Sequence, residues 1–252
     1  MNPRTSETPG AGDAGGIEDQ VGTGSTSILP ATDDNLAEAR DVLNRLNANV
    51  GAAWIQRGLK VFPIAISWDP AKGKTNKRPL TGKGGFHRAT DDLQTLVQLV
   101  FDGSTQLHDG EVLACALVPG SGGFVVFDGD CDNGKTGVQY LDNDLHLPPH
   151  TYRPISASTG EHRWYRKRDL EVHVGNISIW EKNGVDVRSD AGYVVCPGTV
   201  TPWGNWTDGD DLRPWGTFAT VPEALWNQMV GSKTSGTGSS QSGGWRRYDP
   251  VV

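Results

Sequence analysis

The sequence has little cysteine, no long apolar run and no surplus of positive charge. Its three cysteines, Cys115, Cys131 and Cys196, are spread over 252 residues without a Cys-x-x-Cys pair. An odd, scattered set speaks against a disulfide framework or a zinc module and fits a reducing compartment. No apolar stretch approaches the ~18 residues that a membrane-spanning helix needs. The N-terminus lacks the charged and apolar regions of a secretory leader. The expectation is a cytoplasmic chain with no membrane partner. The formal net charge is -7, which speaks against a chain that is basic throughout and coats nucleic acid. It leaves room for a local basic groove around an acidic centre.

What is present is ordinary for a folded protein: 36% apolar and 21% charged residues, and enough length for one large domain or two small ones. Nine tryptophans are many for this size, and serve either as core or as stacking platforms. Residues 1–33 are rich in Gly, Ser, Thr, Asp and Pro and hold too little apolar surface to offset the entropy of ordering, so they are expected to be disordered. Residues 231–252 contain the run KTSGTGSSQSGG and read as a flexible linker and tail. Residues 34–230 are left as the folded domain. A linker followed by so few residues fits a fragment of a longer protein, or a short natural tail.

Within that domain, Leu36, Ala39, Leu43, Leu46, Val50, Ala53 and Trp54 fall on one stripe, predicting a helix over 35–57 with Gly58 as its stop. Residues 59–67 read as a buried strand, and 91–101 as a second helix with Thr90 as N-cap. Short apolar runs at 113–118 and 124–127 flank residues 119–123, which fits two strands joined by a tight turn. Further strands are expected at 163–167, 184–187 and 193–196. Helices lead and strands follow, so the predicted class is α+β with a mixed or antiparallel sheet flanked by helices.

The chemistry gathers in three places. The apolar run Phe124-Val125-Val126-Phe127 ends in Asp128-Gly129-Asp130. On extended backbone, residues i and i+2 face the same side, so both carboxylates can meet one hard cation such as Mg²⁺ or Mn²⁺. The intervening glycine would let the backbone approach it closely. A solvated surface turn explains the pair equally well. Residues 129–136, GDCDNGKT, also match the phosphate-loop pattern G-x-x-x-x-G-K-[ST]. Asp130 and Asp132 inside such a loop would repel the phosphates it exists to hold, so that reading is set aside.

The second place is the small-residue turn Ser156-Ala157-Ser158-Thr159-Gly160, which delivers Glu161 and His162 to a segment bearing Arg163, Trp164, Tyr165 and Arg166. A histidine there can hydrogen-bond a phosphate, though one after such a turn is more often structural. The third is Gly184-Val185-Asp186-Val187-Arg188, followed by Ala191-Gly192-Tyr193-Val194-Val195. It sets a carboxylate and a guanidinium on one strand face, either as an ion pair or as a metal ligand beside a phosphate-binding group.

Together these elements resemble the bifunctional DNA primase/polymerase domain of the archaeo-eukaryotic primase superfamily. That family orders a D-x-D after a strand, a small-residue turn ending in His, and a lone Asp after an apolar residue. Asp128 and Asp130, His162 and Asp186 fill those positions. Upstream, Gly58-Leu59-Lys60-Val61-Phe62-Pro63 resembles the family's opening strand. Lys77-Arg78-Pro79-Leu80, Gly85-Phe86 and Ala89-Thr90-Asp91 resemble its K-x-P, G-[FW] and A-T-x-D segments. Downstream, residues 186–195 resemble its D-x-R-x-x-G-G-Y-V-V run. The likeness covers about residues 35–210. The sequence departs from it at Thr159-Gly160-Glu161-His162, where the family more often has Gly-Gly-x-His. The zinc-binding stem of some relatives has no cysteine counterpart.

The resemblance implies a primase-polymerase core performing metal-dependent, template-directed nucleotidyl transfer. Asp128, Asp130 and Asp186 would be the catalytic acids and the ligands of two Mg²⁺ or Mn²⁺ ions. His162 would bind the incoming nucleoside triphosphate, helped by Arg188, Ser158, Lys77 and Arg163. The partners implied are a single-stranded DNA template, nucleoside triphosphates and a helicase beyond the linker in a phage or plasmid replication protein of a bacterial cell. Lys72, Lys74, Lys77, Arg78, Lys83, His87 and Arg88 form a basic stretch suited to a DNA backbone, or a solvated loop. Trp164 and Trp180 are either template-stacking platforms or core. The competing functions are a nucleotide-binding module without turnover and a metal-dependent nucleotide phosphohydrolase.

Overall fold

The computed structural model describes residues 33–82, 85–131, 134–148, 152–207 and 217–231. Of the segment expected to be disordered (1–33) and the expected linker and tail (231–252), residues 1–32 and 232–252 lie outside the described residues, as do Lys83 and Asp132, while Asp33 opens α1 and Gly231 closes α4. In chain order the elements are α1 (Asp33–Gln56), β1 (Lys60–Asp69), β2 (Lys74–Pro79), α2 (Leu93–Ser104), β3 (Val112–Val118), β4 (Phe124–Gly129), α3 (Gly137–Asn143), β5 (Glu161–Arg166), β6 (Ile177–Trp180), β7 (Val185–Arg188), β8 (Val194–Val195), β9 (Val200–Thr201), β10 (Gly204–Asn205) and α4 (Glu223–Gly231). The class is α+β. Strand order is β2-β1-β3-β8 in one four-stranded sheet and β5-β4-β7-β6 in the other, with β9 and β10 as a separate pair. Pairing within them is antiparallel throughout.

Periodicity located α1 and α2 well. Gly58 ends α1 in the left-handed region at φ 83°, where its amide and that of Leu59 turn back to the carbonyls of Ile55 and Trp54. The cap of α2 differs from the expectation. Asp92, not Thr90, receives the Thr95 amide at 2.7 Å, because Thr90 is drawn into a bridge with Val61. Residues 119–122 do form the expected tight turn, but β3 and β4 do not pair across it. β3 lies between β1 and β8, β4 between β5 and β7. The turn carries the chain from one sheet to the other.

The first sheet buries both faces. On one, Gly51 of α1 packs so closely on Cys115 that a Cβ would lie 2.5 Å from its Sγ. Asn47, fully buried, donates from Nδ2 to the carbonyls of Leu113 and Val200 and accepts the Val200 amide, tying α1 to β3 and β9. On the other face Phe62, Ile64, Ala114 and Ala116 meet Trp206. The second sheet packs Val125, Phe127, Tyr165 and Val187 against Leu141 of α3 and Leu225, Trp226 and Met229 of α4. Its opposite face contributes Phe124, Val126 and Trp164 to a core shared with Trp54, Val61 and Leu117. Burial of this apolar area is the main term stabilising the fold.

The two tryptophans expected as alternative stacking platforms are core. Trp164 is wholly buried and stacks on Trp54 with ring centroids 5.9 Å apart. Trp180, also buried, packs against Phe127. No described helix is long and apolar enough to cross a membrane, and the three cysteines are free thiols.

Candidate active site

In the second sheet Asp128 of β4 pairs with His162 of β5 on one side and Asp186 of β7 on the other. Directly opposed residues of antiparallel strands point to the same face, so three sequence-distant groups form one row. The row continues the face that carries Phe124, Val126 and Trp164, at the point where that face leaves the core. Register alone builds the site.

His162 is buried, and its Nε2 lies 3.3 Å from Asp128 Oδ1. Its Nδ1 is also buried and has no hydrogen-bond partner among the described residues. Burial pushes the Asp128 carboxyl up, but the His162 imidazole, Lys77 and Arg188 outweigh it and hold the group well below the usual carboxylate range. Asp186 moves the other way. Burial raises it most, Arg188 opposes, and Asp128 and Asp130 raise it further. Arg188 donates from Nη2 to Asp186 Oδ2 at 2.8 Å, as the i, i+2 spacing on β7 allows. Gly192 lets the following turn pass the stem: a Cβ there would lie 3.1 Å from Arg188 Cδ.

Asp130 is the first residue beyond β4. Its amide donates to Gly184 O at 2.8 Å and its carbonyl accepts the Gly137 amide at 2.9 Å. Gly137 must be glycine, since a Cβ would lie 2.2 Å from Gly184 O. A Cβ at Gly129 would strike Leu141 of α3 at 2.6 Å, so the glycine at this position admits the helix.

The turn before His162 is closed by the Ser156 amide on Gly160 O and the Thr159 amide on Ser156 O. Gly160 passes so near β4 that a Cβ would lie 2.7 Å from Gly129 O. Thr159 holds a left-handed φ of 64°, the conformation a glycine would take without strain. The position where the family more often has glycine thus carries a β-branched residue in a left-handed conformation.

Of the remaining sequence-selected residues, Lys77 on β2 is brought to the site, since its charge bears on Asp128; its ammonium also sits 5.7 Å from the Trp206 ring centroid. Ser158 lies half-buried in the turn, its hydroxyl 3.3 Å from that of Ser156. Arg163 alternates to the other face of β5 from His162, where it bonds Asp142 at 2.6 Å and Glu161 at 3.0 Å. Arg78, next to Lys77, turns outward to Glu111 and the Gln106 carbonyl. Lys135 was missed as a site residue; its ammonium lies 2.7 Å from Asp130 Oδ2. Its only sequence signal was the discarded phosphate-loop pattern.

The donor chemistry suits a hard divalent cation: three carboxylates, two of which push up the third. Among the described residues, no group of three or more His, Cys, Asp or Glu side chains is already disposed to hold a metal. Each acid instead engages one basic partner: Asp128 with His162, Asp130 with Lys135, Asp186 with Arg188.

Comparison with known families gives a match over residues 51–224 to the model of the Prim-Pol family, described as bifunctional DNA primase/polymerase, N-terminal. The curated proteins contain no match. The matched span takes in β4, β5 and β7 with all three acids and His162.

Proposed function

The chain belongs to the bifunctional DNA primase/polymerase family, and from that premise we propose that it performs template-directed, Mg²⁺- or Mn²⁺-dependent nucleotidyl transfer at Asp128, Asp130 and Asp186. The observation that carries the proposal is the cross-strand row His162–Asp128–Asp186 inside the matched span. Divalent ions held by these carboxylates would supply the Lewis acidity that activates a 3′-hydroxyl and neutralises a departing pyrophosphate.

The chain's own residues position the nucleotide. His162, fixed through Nε2 by Asp128, would contact the triphosphate. Arg188 and Lys77 bring positive charge to the same face, as a triphosphate requires. The hydroxyl of Ser158 is a second-rank contact from the turn. Arg163 acts at a distance, by bracing Glu161 and the start of β5. The charges of His162, Lys77 and Arg188 favour the ionised form of Asp128, which is the form a cation needs. Three acids serve because two close cations repel each other and need compensating charge.

The single-stranded template is proposed to lie along the exposed basic residues around β2, with Lys72, Lys74, His87 and Arg88 facing the phosphates. Arg78 is withdrawn from that strip by Glu111. A helicase in the parent replication protein, of phage or plasmid origin, belongs to the same proposal. A gel assay with template and labelled nucleotide, with and without primer, tests it. Metal-dependent extension or de novo synthesis supports it. Nucleotide hydrolysis without products longer than the primer would favour a phosphohydrolase instead.

A further inference from the structure

Once the phosphate-loop reading of residues 129–136 is set aside, Lys135 has no assigned task, yet its position is built. Its ammonium lies 2.7 Å from Asp130 Oδ2. Its stem passes over Gly184, where a Cβ would lie 2.9 Å from Lys135 Cβ, and Gly184 has φ 79°. The turn that carries Lys135 is anchored to the backbone of its own partner: Asp130 bonds Gly184 on one side and Gly137 on the other. Gly184 then leads directly into β7 and Asp186. The lysine charge contacts Asp130 and also bears on Asp186.

We propose that Lys135 is a resident counter-cation of the carboxylate site, neutralising Asp130 in the metal-free enzyme and competing with a divalent ion for that carboxylate. The proposal rests on reading Asp128, Asp130 and Asp186 as metal-binding acids. A single ammonium balances one carboxylate, whereas a divalent ion balances two, so the ion displaces the lysine. Both partners are partly solvated, with side chains 39% and 33% exposed. The competition is therefore modest, because an exposed pair contributes little.

Mn²⁺ titration, followed by the electron paramagnetic resonance of the free ion, tests this on the full chain without nucleotide or template. Lys135→Met should bind Mn²⁺ about threefold more tightly than wild type, and Lys135→Arg, which keeps the charge, should stay near wild type. Asp130→Asn should bind much more weakly. A Lys135→Met protein that binds no more tightly than wild type, or a Lys135→Arg protein as tight as Lys135→Met, would overturn the proposal and leave the catalytic reading intact. Absence of Mn²⁺ binding by the wild type would overturn both.

Discussion

Asp128 and His162 are direct cross-strand partners on β4 and β5, joined at 3.3 Å between Oδ1 and Nε2. The pairing fixes which histidine nitrogen faces the acid. His162→Ala is expected to raise the apparent KM for nucleotide at least about tenfold, since a hydrogen bond to a charged group is worth roughly 1.5–3 kcal/mol. Steady-state incorporation against nucleotide concentration checks this. An unchanged KM would remove His162 from nucleotide binding.

Asp186 links stability to function. Its carboxyl is raised in the folded state by burial and by its acidic neighbours. A raised pKa means that the folded chain binds the proton more readily, so ionised Asp186 destabilises the fold above that pKa. Asp186→Asn should therefore melt higher than wild type at pH 7 while losing incorporation. Its advantage should shrink as pH falls through the raised value towards the ordinary carboxylate range. Thermal melts across that window would show the convergence; a constant gap would contradict it.

Thr159 carries strain at φ 64°, of about 1–3 kcal/mol for a non-glycine residue in this region. Thr159→Gly relieves it but enlarges the freedom of the unfolded chain, so the expected net gain is about 1 kcal/mol by denaturant unfolding. A loss of stability would mean that the threonine side chain makes contacts outweighing the strain.

Gly137 sits where a Cβ would collide with Gly184 O and with the backbone of Asp130. Gly137→Ala must shift the turn that holds Asp130, and a loss of more than about 2 kcal/mol is expected, in the range of severe steric changes. The same variant should weaken Mn²⁺ binding. Normal stability with normal binding would show that the clamp is dispensable.

The candidate site was legible in the sequence because its acids and histidine stand in short motifs of fixed order around apolar runs. The fold class followed from where helical and alternating periodicities fell. Pairing was not readable: nothing local to 113–127 says that β3 and β4 separate into different sheets, since register is decided by distant strands. β2 escaped because Lys74–Pro79 is polar and owes its strand form to β1. Arg163 and Trp164 show the remaining limit. Adjacent residues on a strand face opposite ways, so one motif supplied a histidine beside Asp128, a braced arginine and a core tryptophan.

The central claim is tested most directly by nucleotide incorporation on a template in Mn²⁺ by Asp128→Ala beside wild type, with folding of both checked by circular dichroism. Wild type is expected to extend or initiate chains, and the folded variant to yield no product above background. Near-wild-type extension by Asp128→Ala would contradict the assignment of the catalytic acids.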